Sequence, residues 1–205
     1  MEIGLVASLS RPGGTLTGAT QLNHEVAPKR LELMHELVPT ATIIAVLVNP
    51  KGPGAEPELR ALQAAARTLG VQLHVLHAST EGEFETVFAT LAQLRAGALV
   101  VGTDGFFLSR SEQLAALTVR HAVPAIFQER AFAAAGGLVS YGGRTTDTYH
   151  LAGVYPGRIL KGEKPGDLPV QQTAKIELLI NTKTAKALGL TIPETLLATA
   201  DEVIQ

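Results

Sequence analysis

The sequence contains no cysteine and no tryptophan among its 205 residues, and its aromatics amount to three tyrosines and six phenylalanines. Without thiols there are no disulfides, no thiolate metal ligands and no cysteine nucleophile; the compartment stays open, because many proteins of oxidising compartments carry no cysteine. So few rings leave few platforms for stacking nucleic-acid bases or building a flat protein interface. Charge is thin as well. Lys and Arg number 17 against 19 Asp and Glu, a net charge of −2, with no basic block to neutralise a phosphate backbone. No nucleic-acid partner is expected. The longest apolar runs, such as residues 43–48, fall far short of the ~20 residues that cross a bilayer. Residues 1–12 hold no Lys or Arg before Arg11 and no sustained apolar stretch, so they do not read as a secretory signal; taken from Met1 as a true start, the chain would be cytoplasmic.

What is present is a globular composition: 46% hydrophobic and only 18% charged residues, which disfavours disorder and coiled coil. From residue 42 onward, short β-branched runs alternate with helical stripes, the pattern of βαβ units and a parallel sheet. Strands are predicted at 42–48, 71–77, 98–102, 124–127 and 138–141. Between them lie helices with apolar stripes: Leu59, Leu62, Ala66 and Leu69, ended by Gly70; then Phe84, Phe88, Leu91 and Leu94 behind a Thr80/Glu83 capping box; then Leu114, Leu117 and His121 behind a Ser109/Glu112 capping box. Residues 41–141 are therefore predicted to form one complete α/β lobe, a doubly wound parallel sheet. Residues 1–40 and 142–205 supply a strand at 15–20, a helix with Ala27, Leu31, Met34 and Val38 on one face, a helix from about 146 to 161, a strand near 175–180 and short helical pieces at 182–188 and 194–200. They are expected to form a partial second α/β lobe, with chain crossings near 39–41 and 141–144.

In an open α/β sheet, ligands bind beyond the carboxyl ends of the strands where strand order reverses. The predicted order puts that point between the strands at 42–48 and 98–102. Asn49 and Pro50 follow one of them, and Thr103 and Asp104 follow the other, leading into Phe106 and Phe107. Turn chemistry explains Asn49 and Asp104 about as well, since both side chains commonly hold local backbone. Phe127, with Gln128 and Glu129, ends the fourth strand, and Ser140 and Tyr141, with two glycines, end the fifth. No histidine pair has metal-ligand spacing: His74 and His77 point to opposite faces of one strand, and the other four are isolated. A Gly-x-Ser-x-Gly elbow, a phosphate loop and a Gly-x-Gly-x-x-Gly are all absent, so no catalytic residue, metal or cofactor is predicted.

Several ordered stretches carry a resemblance. They are Leu5-Val6-Ala7-Ser8-Leu9-Ser10-Arg11-Pro12-Gly13-Gly14 with Thr15-Leu16-Thr17-Gly18, Lys29-Arg30-Leu31-Glu32-Leu33 running on to Pro39, and Ala45-Val46-Leu47-Val48-Asn49-Pro50. Further along come Ala135-Gly136-Gly137-Leu138-Val139-Ser140-Tyr141-Gly142, Arg158-Ile159-Leu160-Lys161-Gly162 and the run from Asn181 to Leu190. Together they resemble the bacterial ABC-transporter substrate-binding proteins of the tryptophan/tyrosine-type uptake family. The resemblance implies a two-lobed periplasmic binding protein of type I, which binds a small ligand such as an aromatic amino acid in an interlobe cleft and hands it to a membrane permease. It implies ligand contacts from Asn49 and Asp104, with Asp104 placed to pair with an α-ammonium group, and position at the strand ends adds Pro50, Thr103 and Ser140 to the candidates. By the same resemblance Phe107 and Phe127 would pack on an apolar side chain, and Tyr141 would close the hinge side.

Family members begin with an export signal and the opening segments of the first lobe, whereas this chain starts at the stretch that follows them. The expectation is an incomplete lobe with an open sheet edge, and hence a homodimer. Pro156 also stands where the family pattern is an unbroken helix, and is expected to kink it. Two rival readings remain at this point: a small hydrolase-like α/β enzyme using Asp104 at the strand ends, and a ligand-sensing effector lobe of a regulator.

Overall fold

The alternating runs and stripes fold as nine strands and nine α-helices in a computed structural model that describes residues 4–173 and 175–205. From the amino terminus these are β1 (Ala19–Gln21), α1 (Ala27–Leu37), β2 (Ile43–Val48), α2 (Ala55–Leu69), β3 (Gln72–His77), α3 (Phe84–Leu94), β4 (Ala98–Val101) and α4 (Gly105–Leu108). There follow α5 (Ser111–Arg120), β5 (Ala125–Phe127), α6 (Arg130–Ala134), β6 (Val139–Gly143), α7 (Thr145–Leu160), β7 (Gln171–Thr173), β8 (Ile176–Asn181), α8 (Thr182–Ala187), α9 (Glu194–Thr199) and β9 (Glu202–Ile204). The chain divides into a larger unit, Asn23–Gly142 with Glu177–Gln205, and a smaller one, Met1–Leu22 with Gly143–Ile176.

The larger unit is built on a seven-stranded sheet in the order β3-β2-β4-β5-β6-β8-β9. The first five strands pair in parallel, with Val46 opposite both Val75 and Val100, and β8 pairs in parallel with β9. Successive residues of a strand face opposite sides, so β2 serves two apolar layers at once. Ile44, Val46 and Val48 face Leu31, Met34, Leu62 and Ala66, while Ala45 and Leu47 join Phe84, Phe88, Leu91 and Leu114. Cover on both faces is why β2 is an unbroken apolar run. Leu47 is fully buried, and truncating such a residue to alanine costs roughly 2–5 kcal/mol.

Local signals behave largely as the sequence predicts. Gly70 ends α2 in the left-handed conformation at φ 70°, its N–H bonding the carbonyls of Ala66 and Arg67. Thr80 and Glu83 close their capping box before α3, and backbone N–H bonds from Ser79 and Thr80 hold the Glu83 carboxyl below its ordinary pKa. The box predicted at Ser109 and Glu112 does not form. Asp104 instead caps the short helix α4, and Ser109 closes that helix by donating its hydroxyl to the Phe106 carbonyl at 2.7 Å.

The unit boundaries differ from those predicted at 41 and 141. Helix α1 belongs to the larger unit because Ala27, Leu31, Met34 and Leu37 fill one of its apolar layers. Residues 177–205 belong there too: β8 extends the sheet next to β6, and the Asn181 N–H reaches the Leu138 carbonyl at 2.8 Å. The chain passes between units three times, after Leu22, Gly142 and Ile176.

The smaller unit holds a two-stranded parallel sheet, β1 with β7, in which Thr20 faces Gln172. Long-range hydrogen bonds tie it together: Thr17 Oγ1 donates to the Leu168 carbonyl at 2.6 Å, Tyr155 Oη to that of Pro169 at 2.6 Å, and the Val170 N–H to that of Leu9 at 2.7 Å. Helix α7 runs on through Pro156, although an interior proline has no N–H to give to the Ala152 carbonyl. Leu5, Leu16, Tyr149, Val154 and Leu160 of this unit are exposed, Leu160 at 88% and Tyr149 at 70%.

Candidate functional site

Two turns emerge side by side at the carboxyl ends of β2 and β4. Asn49 donates from Nδ2 to Asp104 Oδ1 at 3.0 Å, and its own Oδ1 accepts from the Lys51 N–H at 3.1 Å and the Ser79 hydroxyl at 2.9 Å. Asp104 Oδ1 also accepts from the Phe106 N–H at 2.8 Å. Both side chains therefore hold backbone, as the turn-residue alternative expects, and at the same time they join the two strand ends. Asp104 Oδ2 accepts no hydrogen bond from the described residues. It stands beside Gly52, where a Cβ would come within 2.7 Å of it. A half-buried carboxylate is thus fixed through one oxygen, with the other left as an acceptor.

Beneath Thr103 lies a buried charge cluster. Arg30, fully buried in α1, donates from Nη2 to Glu58 Oε1 at 2.7 Å and to Thr103 Oγ1 at 2.8 Å, and from Nη1 to the Tyr141 carbonyl at 3.3 Å. One guanidinium thereby links α2 to the end of β4 and to the middle of β6. Glu58, 4% exposed in the first turn of α2, accepts the Thr103 N–H at 3.1 and 3.0 Å and pairs with Nδ1 of His24 at 2.9 Å. Burial alone would raise the Glu58 pKa, but the His24 hydrogen bond and the Arg30 charge outweigh it and hold the carboxyl below its ordinary value. Burial likewise draws Arg30 downward, opposed by the carboxylates of Glu58 and Glu129. The His24 ring occupies the space where Gly54 lacks a side chain, since a Cβ there would stand 2.2 Å from it. Nearby, Asn23 Nδ2 donates to Glu129 Oε1 at 3.0 Å, at the end of β5.

A model of the ABC transporter substrate binding protein family matches residues 1–204. The chain belongs to this family. A "Tyrosine-binding protein" of Clostridioides difficile is 27% identical over 190 residues, covering 93% of this chain and 54% of the relative. This chain therefore spans about half the length of that curated relative. Among solved structures, an ABC domain in complex with L-Trp from Streptococcus pneumoniae superposes with a TM-score of 0.85 at 27% identity, over 100% of this chain and 70% of the other. A conserved domain protein from Vibrio cholerae gives a TM-score of 0.87 at 26% identity, over 99% and 68%. The fold is that of the type I periplasmic binding proteins. Among the described residues no helix is long and apolar enough to cross a membrane, and no group of three or more His, Cys, Asp or Glu could hold a metal.

Set within this substrate-binding family, the predicted site residues separate into three groups. Asn49, Thr103 and Asp104 lie together, with Pro50 exposed in the turn after β2. Tyr141 is half-buried on the face of Ile126 and Val139 and joins the cluster through its carbonyl. Phe107, Phe127 and Ser140 are walled in. Phe107 is fully buried against Phe84, and Phe127 stacks on Phe132 at 4.5 Å over Gly137, where a Cβ would come within 2.7 Å of its ring. Ser140, 1% exposed, sits opposite Phe127 in the strand register, its hydroxyl without a hydrogen-bond partner among the described residues. The two phenylalanines are core residues, so the apolar ligand contact expected of them has no open surface to use. The sequence reading missed Arg30, Glu58, His24 and Asn23. A signal for Arg30 was present: at 100° per residue it falls between Met34 and Leu37, on the apolar side of the helix that also carries Ala27 and Leu31, where a charge must find a partner.

Proposed function

We propose that this chain is the solute-binding component of an ABC uptake transporter, that its small ligand is an aromatic amino acid of the tyrosine and tryptophan class, and that it delivers this ligand to a membrane permease from the periplasmic side. The binding locus is the carboxyl ends of β2 and β4, with Asp104 receiving the α-ammonium group and Asn49 and Thr103 framing it. The observation that carries the reading is the Asp104 carboxylate, fixed through Oδ1 while Oδ2 accepts nothing from the described residues beside Gly52. A charge-assisted bond from an ammonium suits that oxygen. Support for the ligand class comes from the tyrosine-binding relative and the L-Trp complex. The role is binding without chemistry on the ligand.

A thermal-shift screen against the twenty amino acids tests it. Ligand at 100 times its dissociation constant adds about 2.7 kcal/mol of stability, and Asp104→Asn should abolish most of the shift. No shift with any amino acid overturns the reading.

The smaller unit is proposed to be covered by a second copy of the chain. Supporting this are the exposed apolar side chains of Leu5, Leu16, Tyr149, Val154 and Leu160. Light scattering tests it, with a dimeric mass expected at micromolar concentration.

A further inference from the structure

We propose that Glu58 is the positioning residue of the binding site: it holds the Thr103–Asp104 turn in the pose that presents Asp104 to the ligand. The inference rests on the reading of Asp104 given above. Glu58 touches no open surface itself, being 4% exposed. Yet three of the hydrogen bonds to its carboxylate come from Thr103, two through the backbone N–H at 3.1 and 3.0 Å and one through the hydroxyl at 3.1 Å. The remaining two come from Arg30 at 2.7 Å and His24 at 2.9 Å. The adjoining residue is Asp104, whose Oδ1 is tied to Asn49 and to the Phe106 N–H.

A role in stability alone does not account for this arrangement. Buried ion pairs are frequently matched or bettered by apolar residues of similar volume, because desolvation offsets the attraction. What apolar residues cannot do is grip a backbone N–H at a strand end. Parallel strand β4 ends at Val101, so the Thr103 N–H lies beyond the sheet and has no ladder partner. Glu58 supplies one, and Arg30, bonded to Glu58 and to the Thr103 hydroxyl, fixes the direction of both. Glu58 also lies in the first turn of α2, where the helix dipole favours its charge. The turn is thereby preorganised, which lowers the ordering cost when ligand binds.

The test compares the full chain with Glu58→Gln and with Glu56→Gln, a neutralisation of an exposed glutamate on the same helix that pairs with Arg60. Calorimetric titration with L-tyrosine and L-tryptophan as probes is paired with residue-resolved amide hydrogen exchange. Glu58→Gln is expected to weaken binding at least tenfold and to speed exchange of the Thr103 amide at least tenfold more than it speeds exchange of the β2 and β4 amides. Glu56→Gln should change neither. Unchanged affinity in Glu58→Gln overturns the proposal, as does exchange that accelerates equally at Thr103 and throughout β2 and β4, which would mark Glu58 as a general stabiliser. A wild-type chain that binds neither probe overturns the reading of the site and this inference with it.

Discussion

Replacing Arg30 by methionine removes the guanidinium and keeps most of the side chain's apolar volume. The change leaves Glu58, 4% exposed, with a buried charge and without its 2.7 Å partner, and it unties Thr103 Oγ1 and the Tyr141 carbonyl. Breaking a buried pair from one side costs about 3–5 kcal/mol. Because His24 still bonds Glu58 at 2.9 Å, the lower end of that range applies. Against a typical total stability of about 5–15 kcal/mol, the loss is easily measured. Glu58→Gln alone strands the Arg30 charge in the same way. Combining Arg30→Met with Glu58→Gln removes both charges, so the double variant should be more stable than the sum of the two losses implies, by about 1–3 kcal/mol. Urea unfolding followed by far-UV circular dichroism gives all four corners of the cycle, provided the denaturant slopes agree. Losses that add to within about 0.5 kcal/mol would show that the two groups do not sense each other, and would refute the buried cluster.

Acid should act through the same carboxylate. The Glu58 pKa is depressed on folding, so its contribution is complete above the ordinary glutamate value of about 4.3 and disappears as pH falls through the lower folded value. Urea midpoints measured downward from pH 7 should fall more steeply below that value in wild type than in Glu58→Gln, and equal slopes would contradict the assignment. Gly142→Ala should destabilise the ends of β5 and β6, because a Cβ there would stand 1.8 Å from the Gln128 carbonyl oxygen, whereas Gly105→Ala meets nothing within 4 Å. In α4 the latter should gain about 0.5–1 kcal/mol, and thermal melts that rank the two the other way would contradict the packing described. Leu160→Glu, at an 88% exposed position, should leave folding intact and convert a dimer to a monomer in light scattering if the second copy sits on that helix; an unchanged mass would remove α7 from the interface.

Much of the larger unit was legible because parallel strands covered on both faces are written as short apolar runs, and turn residues punctuate them. The first five strands fell within a residue or two of their predicted ends, and Asn49 and Asp104 were brought together by strand order alone. Strands β7 and β9 were missed because Gln-Gln-Thr and Glu-Val-Ile lack the continuous apolar run that marked β5 at the same length. Phenylalanines 107 and 127 were misplaced for a different reason. Position at a strand end says where the backbone goes, while the side chain's face depends on register and on a seat such as Gly137, supplied from ten residues further on. The Arg30–Glu58 pair was invisible as a pair because its members lie 28 residues apart on different helices. Each looks like an ordinary solvated charge until its helical stripe is drawn around it.

The interleaving of the two units bears on how the polypeptide is made. Strand β1 is translated well before its sheet partner β7, which lies some 150 residues later. Likewise β6 waits for β8 while residues 143–176 are still being translated. A nascent chain halted after residue 142 would hold β2 to β6 paired but without β8, and β1 without β7. Closing both gaps late, across long stretches of chain, makes biosynthesis slow to commit and exposes strand edges meanwhile, so this topology places a premium on chaperone cover until β8 and residues 177–205 emerge.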